Sequence, residues 1–221
     1  MVGIFKKIWS MIDYLIIGTG RSGTGFMSEL LTMNNIRCGH ESVFGVPATL
    51  ESYRKQIITS NLKSESSWLS VPFITTIKGY NENIKFIHIV RNPINVIKSW
   101  VELDVFSDEN MKNSEYVQLI KKYVDLNYES SVEKTMSYYI GWIKMIEGYN
   151  LNRLILNLED INYDSLSKFL GKKIKPLDKK VNTKKEEKVI KIDNETLIND
   201  IKNSKLYNEL KGISKKYGYD I

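Results

Sequence analysis

Cysteine and histidine are almost missing: the 221-residue chain has one cysteine, Cys38, and two histidines, His40 and His88. A lone thiol excludes an intramolecular disulfide and fits a reducing, cytoplasmic setting. So few sulfur and imidazole ligands also exclude a structural zinc site. Long hydrophobic runs are missing as well; none approaches the roughly 20 residues that span a bilayer. There is no internal repeat and no low-complexity linker, so residues 1–221 read as one domain with a sizeable core. Acidic residues are the minority, 26 against 32 basic ones, for a formal charge of +6. That balance suits an anionic ligand, although residues 172–191, where many lysines lie, read first as a solvated face. The lysines form no nucleic-acid motif, and no nucleic-acid partner is expected. Residues 4–9, short, basic and partly apolar, read as a packed turn rather than a membrane anchor.

What the chain does have is an alternation of strands and helices. Tyr14-Leu15-Ile16-Ile17 is a short apolar run closed by glycine, the mark of a buried strand. Residues 24–32 follow as a helix, 36–38 as a short second strand and 47–60 as a helix with proline in its first turn. Residues 65–68 look like a polar break before 69–77, whose state the pattern leaves open. Residues 84–90 are a clear strand, after which Asn92 and Pro93 supply an N-cap and first turn for a helix over 94–103. Helices are expected at 116–126, 132–149, 165–170 (ending at Gly171), 196–202 and 206–217, and a strand at 153–158. Such alternation predicts an α/β fold: a parallel sheet covered by helices on both faces, with a ligand beyond the carboxyl ends of the strands.

The loop Gly18-Thr19-Gly20-Arg21-Ser22-Gly23-Thr24-Gly25 stands where a phosphate cradle would, between strand and helix. It fits more than one template. Gly18, Gly20 and Gly23 spell the dinucleotide fingerprint, with Glu41 near enough to serve as its ribose-binding acid. Gly18 and Gly23 also have the outer spacing of a P-loop, but Thr24 and Gly25 stand where lysine and the metal-binding hydroxyl belong. That counts against ATP or GTP hydrolysis.

A third template accounts for more of the chain. Arg21-Ser22-Gly23-Thr24 resembles the 5′-phosphosulfate loop of sulfotransferases that use 3′-phosphoadenosine 5′-phosphosulfate (PAPS), in which lysine is common at the position of Arg21. Arg91-Asn92-Pro93, with Ser99 eight residues beyond Arg91, resembles their 3′-phosphate motif. Glu159-Asp160 with Phe169-Leu170-Gly171 is similar to their later strand and helix, and His40-Glu41 and Ser66-Ser67-Trp68 to segments of bacterial-type members. The resemblance covers about residues 14–171. It implies a P-loop-like three-layer fold and a soluble bacterial- or viral-type enzyme that moves a sulfuryl group from PAPS to a hydroxyl or amine, leaving PAP. Gly20, Arg21, Ser22, Gly23, Thr24 and Gly25 would cradle the 5′ end, with Arg21 also offsetting leaving-group charge. Arg91 and Ser99 would take the 3′-phosphate. Glu41 would be the base, with His40 as the second choice, and Ser67 and Trp68 would line the acceptor pocket. No metal is required, because a sulfuryl group carries less charge than a phosphoryl group. The acceptor is left open as a small molecule, carbohydrate or peptide. The alternatives are a Rossmann-type oxidoreductase using NAD(P) or FAD, which leaves Arg91 without a role, and a non-catalytic nucleotide-binding protein.

Other residues take plainer readings. His88, inside an apolar strand, reads as a core histidine. Tyr138, Tyr139 and Trp142, at helical spacing, read as core rather than a stacking platform. Residues 182–185 read as a solvated loop, and Lys78 ranks low as a group facing the transferred sulfuryl.

Overall fold

The computed structural model describes residues 12–43, 62–177 and 190–221. The expectations for residues 4–9, 47–60 and 182–185, and for most of the lysine-rich stretch, lie outside them. The described residues fall into two compact units, 12–90 with 147–177 and 91–146 with 190–221.

The first unit is built on a five-stranded sheet: β1 (Tyr14–Ile17), β2 (Cys38–His40), β3 (Ser64–Ser66), β4 (Lys85–Val90) and β5 (Arg153–Asn157). Every pairing is parallel, and the order is β2-β3-β1-β4-β5. Helices α1 (Thr24–Met33), α2 (Ile74–Tyr80) and α7 (Tyr163–Leu170) belong to the same unit, and a 3₁₀ segment, Trp68–Phe73, leads into α2. Because side chains alternate along a strand, Ile16, Ile87, Ile89 and Leu156 share a face, where they pack with Met27, Leu30 and Leu31 of α1 and Leu166 and Leu170 of α7. Leu15, Ile17, Phe86 and Val90 point the other way and are equally buried. Both faces are covered, as the continuous apolar runs require.

Most strands and helices fall where expected. The short second strand is displaced to Cys38–His40, because Ile36 is taken into the core below it. The polar break at 65–68 is a correction: Ser64–Glu65–Ser66 is an interior strand, paired with β2 on one side and β1 on the other. The open segment 69–77 is 3₁₀ and then α-helical.

The second unit holds α3 (Pro93–Glu102), α4 (Asp108–Asn113), α5 (Glu115–Lys121), most of α6 (Ser131–Gly148), α8 (Asn194–Asn203) and α9 (Tyr207–Lys216). Asn92 caps α3 as expected, its Oδ1 accepting from Ile94 N at 2.9 Å. Tyr138, Tyr139 and Trp142 are core, each no more than 1% exposed. Tyr138 lies 4.4 Å from Trp100 and 5.4 Å from Trp142, ring centre to ring centre, and such aromatic pairs add to the burial term. The helix expected over 116–126 ends at Lys121, and Ser114 Oγ accepts from Val117 N at its start.

Candidate functional site

The cradle begins at Gly18, where β1 ends. A Cβ there would stand 2.5 Å from Ser22 Oγ and 2.6 Å from the Ile89 carbonyl oxygen, so only glycine lets the loop leave between β1 and β4. The Thr19 carbonyl then accepts from both Ser22 N (3.2 Å) and Ser22 Oγ (2.7 Å), folding residues 19–22 into a tight turn. Both the amide and the hydroxyl of Ser22 are thus used inside the loop, and the amides that follow, at the start of α1, are the ones left for a ligand. Gly23 follows at φ +108° against Leu158, whose Cδ1 would be 2.8 Å from an added Cβ.

Gly23 is the N-cap of α1, and a glycine cap supplies no side-chain oxygen. None of the amides of Thr24, Gly25 and Phe26 donates to another described residue. An uncapped helix start with its amides available and its dipole behind them can receive an anion. Gly18→Ala is therefore expected to destabilise the fold by about 1–3 kcal/mol through forced overpacking, read as a lower midpoint in urea melts.

Arg21 is exposed and Glu41 half-buried, and they share a backbone peculiarity. Among the described residues, four that are not glycine have positive φ: Arg21 (68°), Asn35 (57°), Glu41 (51°) and Asp104 (50°). Asn and Asp visit this region at little cost. Arg21 and Glu41 do not, and such strain persists only where surrounding structure imposes it.

Glu41 follows β2, and its amide continues the ladder by donating to the Ser66 carbonyl at 3.1 Å. Burial pushes its carboxyl up from the ordinary 4.5 to about 7, while the Trp68 indole N–H, which donates to it, and the Arg21 charge pull the other way. His40 Nε2 lies 3.8 Å from Glu41 Oε1 and 3.3 Å from Thr24 Oγ1. The structure thus brings together Arg21, Thr24, His40, Glu41 and Trp68, which are spread over 48 residues of sequence. A carboxyl that titrates near neutrality, with a cation and an imidazole beside it, can take up and release a proton at physiological pH.

Ser67 is wholly buried, its amide bound to the Ile16 carbonyl at 3.0 Å, whereas Trp68 is spent on Glu41. His88 is buried within β4, and Lys78 Nζ donates to the Asn150 carbonyl at 3.2 Å. Burial pushes the Cys38 thiol up to about 12, which makes it unreactive. In the second unit, Arg91 and Ser99 are both half-buried, Arg91 immediately after β4 and Ser99 within α3. Among the described residues no cluster of histidine, cysteine or carboxylate side chains could hold a metal ion, and no helix is long and apolar enough to cross a membrane.

Glu65 is the residue that sequence reasoning overlooked. It is fully buried on β3, and its Oε1 accepts from Val43 N at 2.9 Å. A glutamate between serines carries no apolar periodicity, and only the neighbouring strands reveal where it lies.

The strand order separates the templates. In the dinucleotide-binding order the second strand adjoins the first, which brings its terminal acid to a ribose. Here β3 stands between them, so Glu41 is not at that position.

No curated protein matches the chain. Among solved structures, a sulfotransferase from Alicyclobacillus acidocaldarius is similar in fold, with a TM-score of 0.57 at 12% identity over 95% of this chain and 97% of that one. The family model described as the sulfotransferase domain matches residues 11–218. That match takes in the cradle, the Arg91 segment and the C-terminal helices, and on it the chain belongs to the sulfotransferase family and is a sulfuryl-transferring enzyme.

Proposed function

We propose that the donor is PAPS and that this chain passes its sulfuryl group to a hydroxyl or amine of a small molecule, carbohydrate or peptide. The observation that carries the reading is Glu41: a strained, half-buried carboxyl raised to about 7, next to Arg21 and the uncapped start of α1. Sulfotransferases generally use PAPS, and the residues here fit it. The loop Gly20 to Gly25 offers the backbone amides of its helix start and Arg21 a permanent charge for the 5′ end, while Arg91 and Ser99 offer a guanidinium and a hydroxyl for the 3′-phosphate. When bound, PAPS supplies an activated sulfuryl group and leaves as PAP. Glu41 takes the proton that the acceptor gives up, with His40 alongside to relay it, and Arg21 offsets negative charge that grows on the leaving phosphate. The family match runs through both compact units, which supports one sulfotransferase-like domain over 1–221. The lone, buried Cys38 fits a cytoplasmic location.

The test is a calorimetric and thermal-shift titration with PAP, NAD⁺ and ATP, followed by PAPS consumption across a panel of hydroxyl and amine acceptors. PAP at 100 times its Kd is expected to add about 2.7 kcal/mol of stability, and NAD⁺ and ATP much less. Arg91→Ala is expected to weaken PAP binding by about 10- to 100-fold, the worth of one charge-assisted contact to a phosphate. Stabilisation by NAD⁺ but not by PAP would sink the reading. Tight PAP binding without transfer to any acceptor would favour a non-catalytic nucleotide-binding protein.

A further inference from the structure

A buried carboxylate is costly unless something holds it, and Glu65, 0% exposed at the centre of β3, is held in an informative way. The register places Glu65 opposite Gly39 of β2 and Leu15 of β1, so the three share one face of the sheet. Leu15 is fully buried and apolar. On the other side an added Cβ at Gly39 would come within 2.1 Å of Glu65 Oε2 and 2.9 Å of Ser42 Oγ. The bare backbone of Gly39 leaves the space that the Glu65 carboxylate occupies, and from there Oε1 accepts from Val43 N beyond the end of β2.

Two consecutive residues of β3 thereby clamp the turn that carries Glu41. Ser66 accepts the Glu41 amide through its carbonyl, and Glu65 accepts the Val43 amide through its side chain. Between these two anchors Glu41 is held at φ +51°, a conformation that glutamate adopts only under constraint. Trp68, two residues beyond Ser66, then fixes the other end of the same side chain through its indole N–H. We propose that Glu65 is a positioning residue for Glu41: its carboxylate, seated against Gly39, pins the 41–43 turn and so sets where the Glu41 carboxyl stands.

The proposal rests on the reading of Glu41 as the base. It acts through backbone position rather than charge: among the described residues Arg21 and the Trp68 N–H act on the Glu41 carboxyl and His40 lies beside it, whereas the charge of Glu65 acts on the Cys38 thiol.

Two substitutions separate reach from charge. Glu65→Gln keeps the length and an acceptor oxygen but loses the charge. Glu65→Asp keeps the charge but falls one methylene short of Val43 N. The readout is the ¹³C-carboxyl NMR titration of Glu41, assigned by its disappearance in Glu41→Gln, together with sulfuryl transfer and PAP affinity. Glu65→Gln is expected to leave the Glu41 midpoint and turnover close to wild type. Glu65→Asp is expected to lower the midpoint by about one unit or more, as the turn opens to water, and to cut kcat about tenfold or more with PAP affinity retained. An unmoved Glu41 titration in Glu65→Asp overturns the positioning role, as does Glu65→Gln failing as badly as Glu65→Asp. Loss of PAP binding in Glu65→Asp also overturns it, since that marks a general structural role. Retained turnover in Glu41→Gln instead overturns the base assignment, whatever the Glu65 variants do.

Discussion

Glu41→Gln is expected to lower sulfuryl transfer by about 10²- to 10⁴-fold, the usual worth of a general base, and at the same time to make the protein harder to unfold at pH 8. Both effects follow from the burial that raises this carboxyl from 4.5 to about 7. In the folded chain the ionised form is disfavoured, and unfolding returns it to water. The neutral carboxyl costs nothing extra, so stability is full below about pH 4.5 and declines as pH rises through 7. At 1.36 kcal/mol per unit, the whole shift amounts to about 3 kcal/mol. Glutamine carries no charge to desolvate, so its advantage grows between about pH 4.5 and 7, is full above 7 and vanishes towards pH 4. Urea melts at the two pH values would show it. In the wild type, kcat/KM is expected to rise with pH to a plateau, with a midpoint near 7. His40 stands 3.8 Å from this carboxyl. His40→Asn is expected to move the limb modestly and leave it in place, whereas Glu41→Gln removes it. An active Glu41→Gln enzyme with an unchanged limb would mean that another group takes the proton.

Arg21 and Glu41 could be picked out in the sequence as candidates for group transfer, but their backbone could not. Arg21 sits in a recognisable loop and Glu41 at a recognisable distance beyond it. Positive φ is ordinarily signalled by glycine, asparagine or aspartate, and neither residue is one of these. Their strain comes from the Thr19–Ser22 turn on one side and the clamp from β3 on the other. The strong apolar strands β1 and β4, the glycine cradle and the Asn92-Pro93 start of α3 were all legible, because each combines a local pattern with a local stop signal. β3 was not. Its serines satisfy themselves through distant partners: Ser66 Oγ donates to the Thr24 carbonyl 42 residues away, at 2.7 Å. A polar strand stabilised in this manner has no periodic signature. The same long-range dependence hid the meeting of Trp68 with Glu41 and the strand order that takes Glu41 away from the dinucleotide position.

Arg21→Ala is expected to reduce turnover by about 10²- to 10³-fold, comparable to removing a preorganised donor that faces developing negative charge. Its companion Arg21→Gly makes the argument sharper. Both variants lose the guanidinium, but at φ +68° glycine also relieves a backbone strain of about 1–2 kcal/mol that alanine keeps. The pair should therefore be equally slow yet differ in stability by about 1 kcal/mol, with Arg21→Gly the more stable in urea melts. Arg21→Lys, which keeps a charge but loses the planar fork, should fall between wild type and Arg21→Ala. A further consequence links Arg21 to the base. Its charge lies close enough to Glu41 to favour the ionised carboxylate, so in Arg21→Ala the acid limb of the pH profile should move above 7, at right angles to any change in maximal rate. If maximal turnover falls and the limb stays still, the arginine acts on the leaving group alone. If the limb moves and maximal turnover does not fall, its part in the reaction is to keep Glu41 ready to accept a proton.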